Sequence, residues 1–276
     1  MTLAMFMKTF PQVLSYVFLL AVPFLVTALA FTFGHLSYAV YLPGWFLNIL
    51  LMFFAFRKLG YKKEWETRRV AWPIITSWAL ISVFAGMGPP PSTAKAWVEL
   101  ALEQQVRYCI LILSGTLTTV GLLRLHNMLT GNPGFRYAQI GKVAILVALP
   151  LFVANMIYWG FFITDVFTKY PNQGTAGKPA WLQTVSSCFT VVRLIEVSLI
   201  YLVTAAFAYA IKSSGKLNPT ACRIYTLFSI LGIILNILPN NLPEPLTTAN
   251  YVSYIPAITL LMPYLMAVNL LKNQNT

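Results

Sequence analysis

Apolar residues gather into eight long runs, at roughly 12–33, 40–57, 70–88, 105–124, 143–167, 185–211, 219–238 and 250–271. Each is near the about 20 residues that a helix needs to cross a hydrocarbon core. The pattern predicts an all-α fold: a polytopic transmembrane helix bundle of about eight spans, forming a single domain over 1–276. Eight such spans take up roughly 160 positions, which leaves only short connections. Pro89, Pro90 and Pro91 close the third run, PNQGTAGKP (171–179) follows the fifth, and PNNLPEP (239–245) follows the seventh. Proline lacks an amide donor and clashes with the preceding turn, so these stretches stop helices. Pro23, Pro73, Pro150, Pro256 and Pro263 fall inside runs and predict kinks. Lys8 ahead of the first run also admits a signal-peptide reading, which would leave seven spans. The run of about 20 residues, longer than a typical signal core, and the lack of a small-residue cleavage site favour a retained span.

Composition fits the same class. Hydrophobic residues make up 58% and charged residues 9%, against about 25% charged in ordinary soluble domains. Mean hydropathy is +0.71. These values exclude a water-soluble enzyme, a disordered tail and a disulfide-stapled secreted domain. Nineteen Lys and Arg against seven acids give a net charge of +12. The basic residues lie in short loops rather than on one face, so a nucleic-acid partner is not expected. They do choose an orientation. Lys8, Arg57, Lys58, Lys62, Lys63, Arg68, Arg69, Arg124, Arg136, Lys142, Lys212, Lys216, Arg223 and Lys272 fall on one side. Lys95, Arg107, Lys169 and Lys178 fall on the other, with Glu99, Glu103, Asp165 and Glu244. The bias predicts cytoplasmic termini, in the endoplasmic reticulum or plasma membrane.

Several chemistries are excluded by what the spans lack. His35 and His126 are placed at opposite ends, so no histidine cluster can hold a catalytic metal. No lysine sits within a span to form a retinal Schiff base. A paired-aspartate diphosphate motif is absent, as is a phosphate loop. No cofactor is expected. Ser114 and Gly115 in ILSGTL read as a small-residue helix contact. Cys109 and Cys188 lie near the same ends of their spans, where a disulfide or two free thiols are both open readings. Cys222, near a cytoplasmic end, is a candidate for acylation or a buried thiol.

The residues hardest to place in lipid are Arg193 and Glu196, near the centre of the sixth run. A charge at that depth costs roughly 2.5–3.5 kcal/mol on insertion scales. Their spacing of three puts them on one helix face, where they can pair. Two readings stay open: a polar pocket, or an ion pair clamping two helices. Asp165 is a second candidate acid, either facing an outer vestibule or marking where its helix meets water. Asn155, with Tyr158 and Trp159 three and four residues on, reads either as an interhelical hydrogen bond or as lining for the same pocket, and Tyr201 and Trp78 are further candidate lining. Asn48 and Asn236 read as interhelical hydrogen bonds. Tyr38, Tyr41, Trp45, Trp65, Trp72, Trp97, Trp181 and Tyr251 read as interfacial anchors.

In size, span count, short loops, aromatic richness and scarce intramembrane acids, the chain resembles the fungal membrane-embedded meroterpenoid (terpene) cyclases. WVEL at 97–100 is similar to a tryptophan–glutamate element of those enzymes, with one residue inserted. The resemblance implies metal-free, acid-initiated cyclisation or isomerisation of a lipophilic isoprenoid-like substrate, with aromatic walls stabilising cationic intermediates. RLIE (193–196) and TDV (164–166) are similar to elements of fungal lipid-translocating exporters, although there a further span separates the two. The expected function is therefore an enzyme on a lipophilic substrate. Glu196 or Asp165 would be the acid, Arg193 would orient it, and Asn155, Tyr158, Trp159, Tyr201 and Trp78 would contact the substrate. The expected partners are that small molecule and membrane lipid. A proton-coupled transporter or a receptor-like scaffold are the alternatives.

Overall fold

A computed structural model describes residues 3–61, 63–170, 179–239 and 242–273, with side chains from Gln12 to Lys272. Lys62, Lys178, Asn240, Asn241 and most of PNQGTAGKP lie outside the described residues, as does the Lys8 side chain. The described elements are helical throughout: α1 (Leu3–Phe33), α2 (Tyr38–Gly60), α3 (Trp65–Ile81), α4 (Phe84–Met87), α5 (Ala94–Glu99), α6 (Ala101–Met128), α7 (Phe135–Ile157), a π-helical segment (Tyr158–Phe162), α8 (Ile163–Lys169), α9 (Ala180–Ser213), α10 (Pro219–Ile237), α11 (Leu246–Ser253) and α12 (Pro256–Asn273).

Among the described residues, seven helices are long and apolar enough to cross a membrane. A further pair, α11 and α12, meets at 64° and passes the same test only when taken together, as one broken span or a re-entrant loop. The run at 250–271 is thus bent across two helices instead of continuous. Pro256 opens α12 instead of kinking it, as a residue with no amide donor and a preset φ suits a first turn. Several helices outrun their predicted spans. The fifth crossing extends from Phe135 to Lys169, and α6 runs from Ala101 to Met128. Hydropathy marks only the part of a helix that lipid would cover, so polar turns at its ends are invisible to it.

The bundle has a basic end. There Lys63 Nζ donates to the Lys272 carbonyl at 3.3 Å, and an Arg124 Nη donates to the Arg69 carbonyl at 3.0 Å. The middle of α1 and the end of α12 meet toward this end, where Tyr16 Oη donates to Asn269 Oδ1 at 2.7 Å. The first span is an integral part of the bundle: Leu19 is buried, and its carbonyl accepts from Tyr264 Oη at 2.7 Å.

Helices α3, α6, α7, α9 and α12 form the interior, with Trp78, Tyr201, Phe207 and Tyr264 its largest fully buried side chains. Small residues let backbones approach. A Cβ on Gly115 would meet the Phe152 ring at 2.5 Å, which bears out the small-residue contact read from ILSGTL. On the outside, α1, α2 and α10 expose Phe24, Leu25, Phe46, Leu50, Phe54, Leu227, Leu231 and Ile234. So much contiguous apolar surface suits lipid and not water. Asn48 bonds Ser82 Oγ at 2.9 Å, and Asn236 bonds the Leu194 carbonyl at 2.9 Å, both between helices as expected.

Candidate functional site

The site is a cavity of about 520 Å³ in the half of the bundle away from the basic end. That volume lies within the about 300–1,000 Å³ common for small-molecule sites. Three local features shape it. The first is the α11–α12 break, which brings Tyr251, Tyr254 and Ile255 to the wall. The second is the π-helical segment, which follows Asn155 and carries Trp159; such bulges recur at functional sites. The third is the Gly88–Ser92 loop that closes the far end. Gly88 has φ +63, and a Cβ there would lie 2.7 Å from the Gly34 carbonyl carbon. Only glycine combines that backbone with that proximity.

Aromatic rings from six elements or junctions form much of the wall: Phe31, Trp78, Trp97, Tyr108, Trp159 and Tyr254. Two guanidinium groups, of Arg107 and Arg193, share it, and among the described residues lining it there is no carboxylate.

Arg193 and Glu196 do not form the ion pair that their spacing suggested. Arg193 turns toward the helix break, its guanidinium carbon 3.7 Å from the Tyr254 ring centroid. Glu196 turns toward α7 and accepts from Asn155 Nδ2 at 2.8 Å. It is 2% exposed, at the midpoint of the 34-residue α9. Side chains three apart diverge by about 60° around a helix, which suffices here for each to find a better partner on a different neighbour. Asn155 stands between Glu196 and the cavity, and its own Oδ1 is buried without a hydrogen-bond partner.

The other expected site residues divide. Trp78 and Trp159 line the cavity, and Trp78 Nε1 donates to the Leu260 carbonyl at 3.1 Å. Tyr158 lies behind the wall, stacked on Phe189 at 4.0 Å between centroids. Tyr201 is structural: its hydroxyl donates to the Ser253 carbonyl at 2.7 Å, and its ring covers Gly232. Asp165 is exposed and bridges to Lys169 at 2.7 Å, one turn along the same helix. It is not among the cavity's lining residues, and its exposure fits the reading that it marks where its helix meets water.

Sequence reasoning missed three contributors. Trp97, expected as an interfacial anchor, is buried on the cavity wall and donates to Thr164 Oγ1 at 2.9 Å. Glu99 of the same WVEL segment faces outward. Arg107 and Glu103, expected as outer charges, are inside α6 and buried. Arg107 donates to the carbonyls of Gly88 and Met87 at 2.9 and 3.1 Å, pinning the far-end loop. Glu103 accepts from Tyr38 Oη at 2.9 Å, bonds His35 Nε2 at 2.7 Å, and lies 3.9 Å from Arg107. The four-residue spacing of Glu103 and Arg107 was the available signal, since it marks a helical pair.

Among the described residues, no cluster of His, Cys, Asp or Glu could hold a metal. Cys109 and Cys188 are free, exposed thiols, so the disulfide reading gives way. Cys222 is buried, which disfavours acylation. Comparison with family models, curated sequences and solved structures finds no match.

Proposed function

We propose that this multi-pass membrane protein takes a lipophilic small molecule into the far-half cavity and acts on it by metal-free acid–base chemistry centred on Glu196. The cavity carries the reading: about 520 Å³, walled mostly by rings and aliphatic groups, with a buried carboxyl one side chain away through Asn155. Asn155 donates its amide to Glu196 and so turns its free Oδ1 elsewhere. A hydroxyl on the substrate is the natural partner for that oxygen. Glu196 would exchange a proton with the substrate once Asn155 swings aside.

Two guanidinium groups on the wall raise the cost of a carbocation, since like charges repel strongly in an apolar site. Isomerisation by proton transfer therefore fits better than the cationic cyclisation of the terpene cyclases. Transport fits less well. Between the cavity and the basic end, Leu122, Ile145, Phe152, Ile200 and Val203 surround a void of only about 10 Å³, the space of about one water. The basic end faces the cytoplasm in this reading, by the positive-inside rule. The site then lies in the opposite leaflet of the endoplasmic reticulum or plasma membrane.

The test uses the purified full chain in nanodiscs, incubated in D₂O with a total lipid extract of its source membranes. Wild type is expected to generate new or deuterium-labelled lipophilic species by mass spectrometry. Glu196→Gln and the cavity-filling Ala257→Trp should abolish them, whereas Asp165→Asn should not. Full product formation by a folded Glu196→Gln protein would end the acid–base reading.

A further inference from the structure

The charges on the cavity wall are all of one sign. Arg193 and Arg107 line it, and among the described residues no Asp or Glu does. The two nearby carboxylates are engaged from behind: Glu196 by Asn155, and Glu103 by His35 and Tyr38. Among the described residues no carboxylate lies within ion-pairing distance of Arg193. Arg107 is 4% exposed, and its Nε has no hydrogen-bond partner. Among the described residues, its carboxylate contact is the long one to Glu103, at 3.9 Å.

Arg107 is partly satisfied by the carbonyls of Gly88 and Met87. Arg193, near the middle of α9 and on a cavity wall without a carboxylate partner, is the costlier charge and the one that points to a bound counter-charge. The aromatic walls could in principle attract a cation. However, the Tyr254 face is already taken by Arg193, and a second guanidinium repels any further positive charge. The first turn of α12, Pro256–Ile258, also borders the cavity, and a helix N-terminus adds positive potential. Guanidinium groups bind carboxylate and phosphate through paired donors, which is the geometry such a site can offer.

Resting on the proposed lipophilic site, we infer that its ligand is an anionic amphiphile: a hydrocarbon body in the aromatic chamber and a carboxylate or phosphate head held by Arg193, with Arg107 adding to the field. The head is drawn to the guanidiniums, and the apolar body is what the rings accept. Arg193, placed at the helix break, also ties ligand binding to the α11–α12 junction through Tyr254.

The test is competition binding with the full chain in phosphatidylcholine nanodiscs. The probe is cis-parinaric acid, a fluorescent long-chain carboxylate excited by energy transfer from the wall tryptophans. Competitors are hexadecanoate, hexadecyl phosphate and hexadecanol, compared as mole fractions of the bilayer. Charge-assisted hydrogen bonds predict that one or both anions displace the probe about ten- to a hundredfold better than the alcohol. This preference is read on the wild type, so it does not depend on a variant folding. Arg193→Gln should collapse it, and Arg193→Lys should keep part of it. Repeating the measurement in nanodiscs containing phosphatidylglycerol separates the sources. Strong inhibition there assigns the head to a bilayer lipid, and none assigns it to a free amphiphile. Equal displacement by hexadecanol, with Ala257→Trp still abolishing probe binding, would overturn the anionic ligand and leave the lipophilic site standing. Probe binding that is absent, or indifferent to Ala257→Trp, would overturn both.

Discussion

Replacing Asn155 with Leu should expose how much the bundle depends on the hydrogen bond from α7 to the centre of α9. The amide donates to Glu196 Oε2 at 2.8 Å, and Glu196 is 2% exposed. Stripping a buried acceptor of its partner costs about 1–3 kcal/mol, and more for a charged one. Between membrane helices, double-mutant cycles give less, about 0.6 kcal/mol on average and about 1.7 at most. The unfolded state in the membrane also finds partners, which explains the discount. Leucine also removes Asn155 Oδ1, a buried acceptor with no partner of its own, and this returns part of the loss. The single variant should therefore lose about 1–2 kcal/mol. Glu196→Leu alone should lose a similar amount, because it strands the amide donor. The double variant places two apolar side chains face to face and should recover much of both losses. A coupling energy of about 1–2 kcal/mol is expected, well above the about 0.3–0.5 kcal/mol scatter of independent sites. Reversible unfolding by SDS in mixed micelles measures it. Losses that add within about 0.5 kcal/mol would refute the claim that this bond stabilises the α7–α9 contact.

Other features give independent tests. Gly232→Ala should destabilise by about 1–3 kcal/mol in the same assay, because its Cβ would sit 2.4 Å from Cζ of a Tyr201 ring anchored by its hydroxyl. Pairing it with Tyr201→Leu should relieve the clash. Arg107→Gln frees the carbonyls of Met87 and Gly88; amide hydrogen exchange should rise at 84–88 and Ser92, the positions flanking the three prolines, and stay unchanged in α9. Without reductant, a membrane-permeant maleimide should label Cys109 and Cys188, and should label Cys222 only after unfolding.

Much of the fold was legible from the sequence, and the reason is visible in particular elements. The α2 and α10 faces carry Phe46, Leu50, Phe54, Leu227 and Leu231 into lipid, so their hydropathy reports the environment directly. Helix ends were less legible, as at Phe135 and Lys169, where polar turns continue a helix beyond its apolar stretch. The break at Tyr254 and Ile255 left only Pro256 as a cue, and a proline reads equally as a kink or a helix start.

The candidate site was legible as a depth, not as an arrangement. Arg193 and Glu196 stood out because charge is costly in mid-membrane, whatever surrounds it. Their partners did not stand out. Glu196 meets Asn155 across 41 residues of chain, and Arg193 meets Tyr254 at the far helix break. Trp97 carries the same composition signal as an interfacial anchor, yet its indole is buried on the cavity wall. Likewise Asp165 and Glu103 both looked like charges at a membrane boundary, but one faces out to Lys169 and the other inward to His35 and Tyr38. By itself the sequence determined the membrane class, the approximate crossings and the helix that carries unpaid charge, because hydrophobicity acts residue by residue along the chain. The tertiary structure alone decided which side chains share the cavity and that its wall is positive. Those properties depend on the rotation of each helix about its axis, which is set by packing between segments distant in sequence.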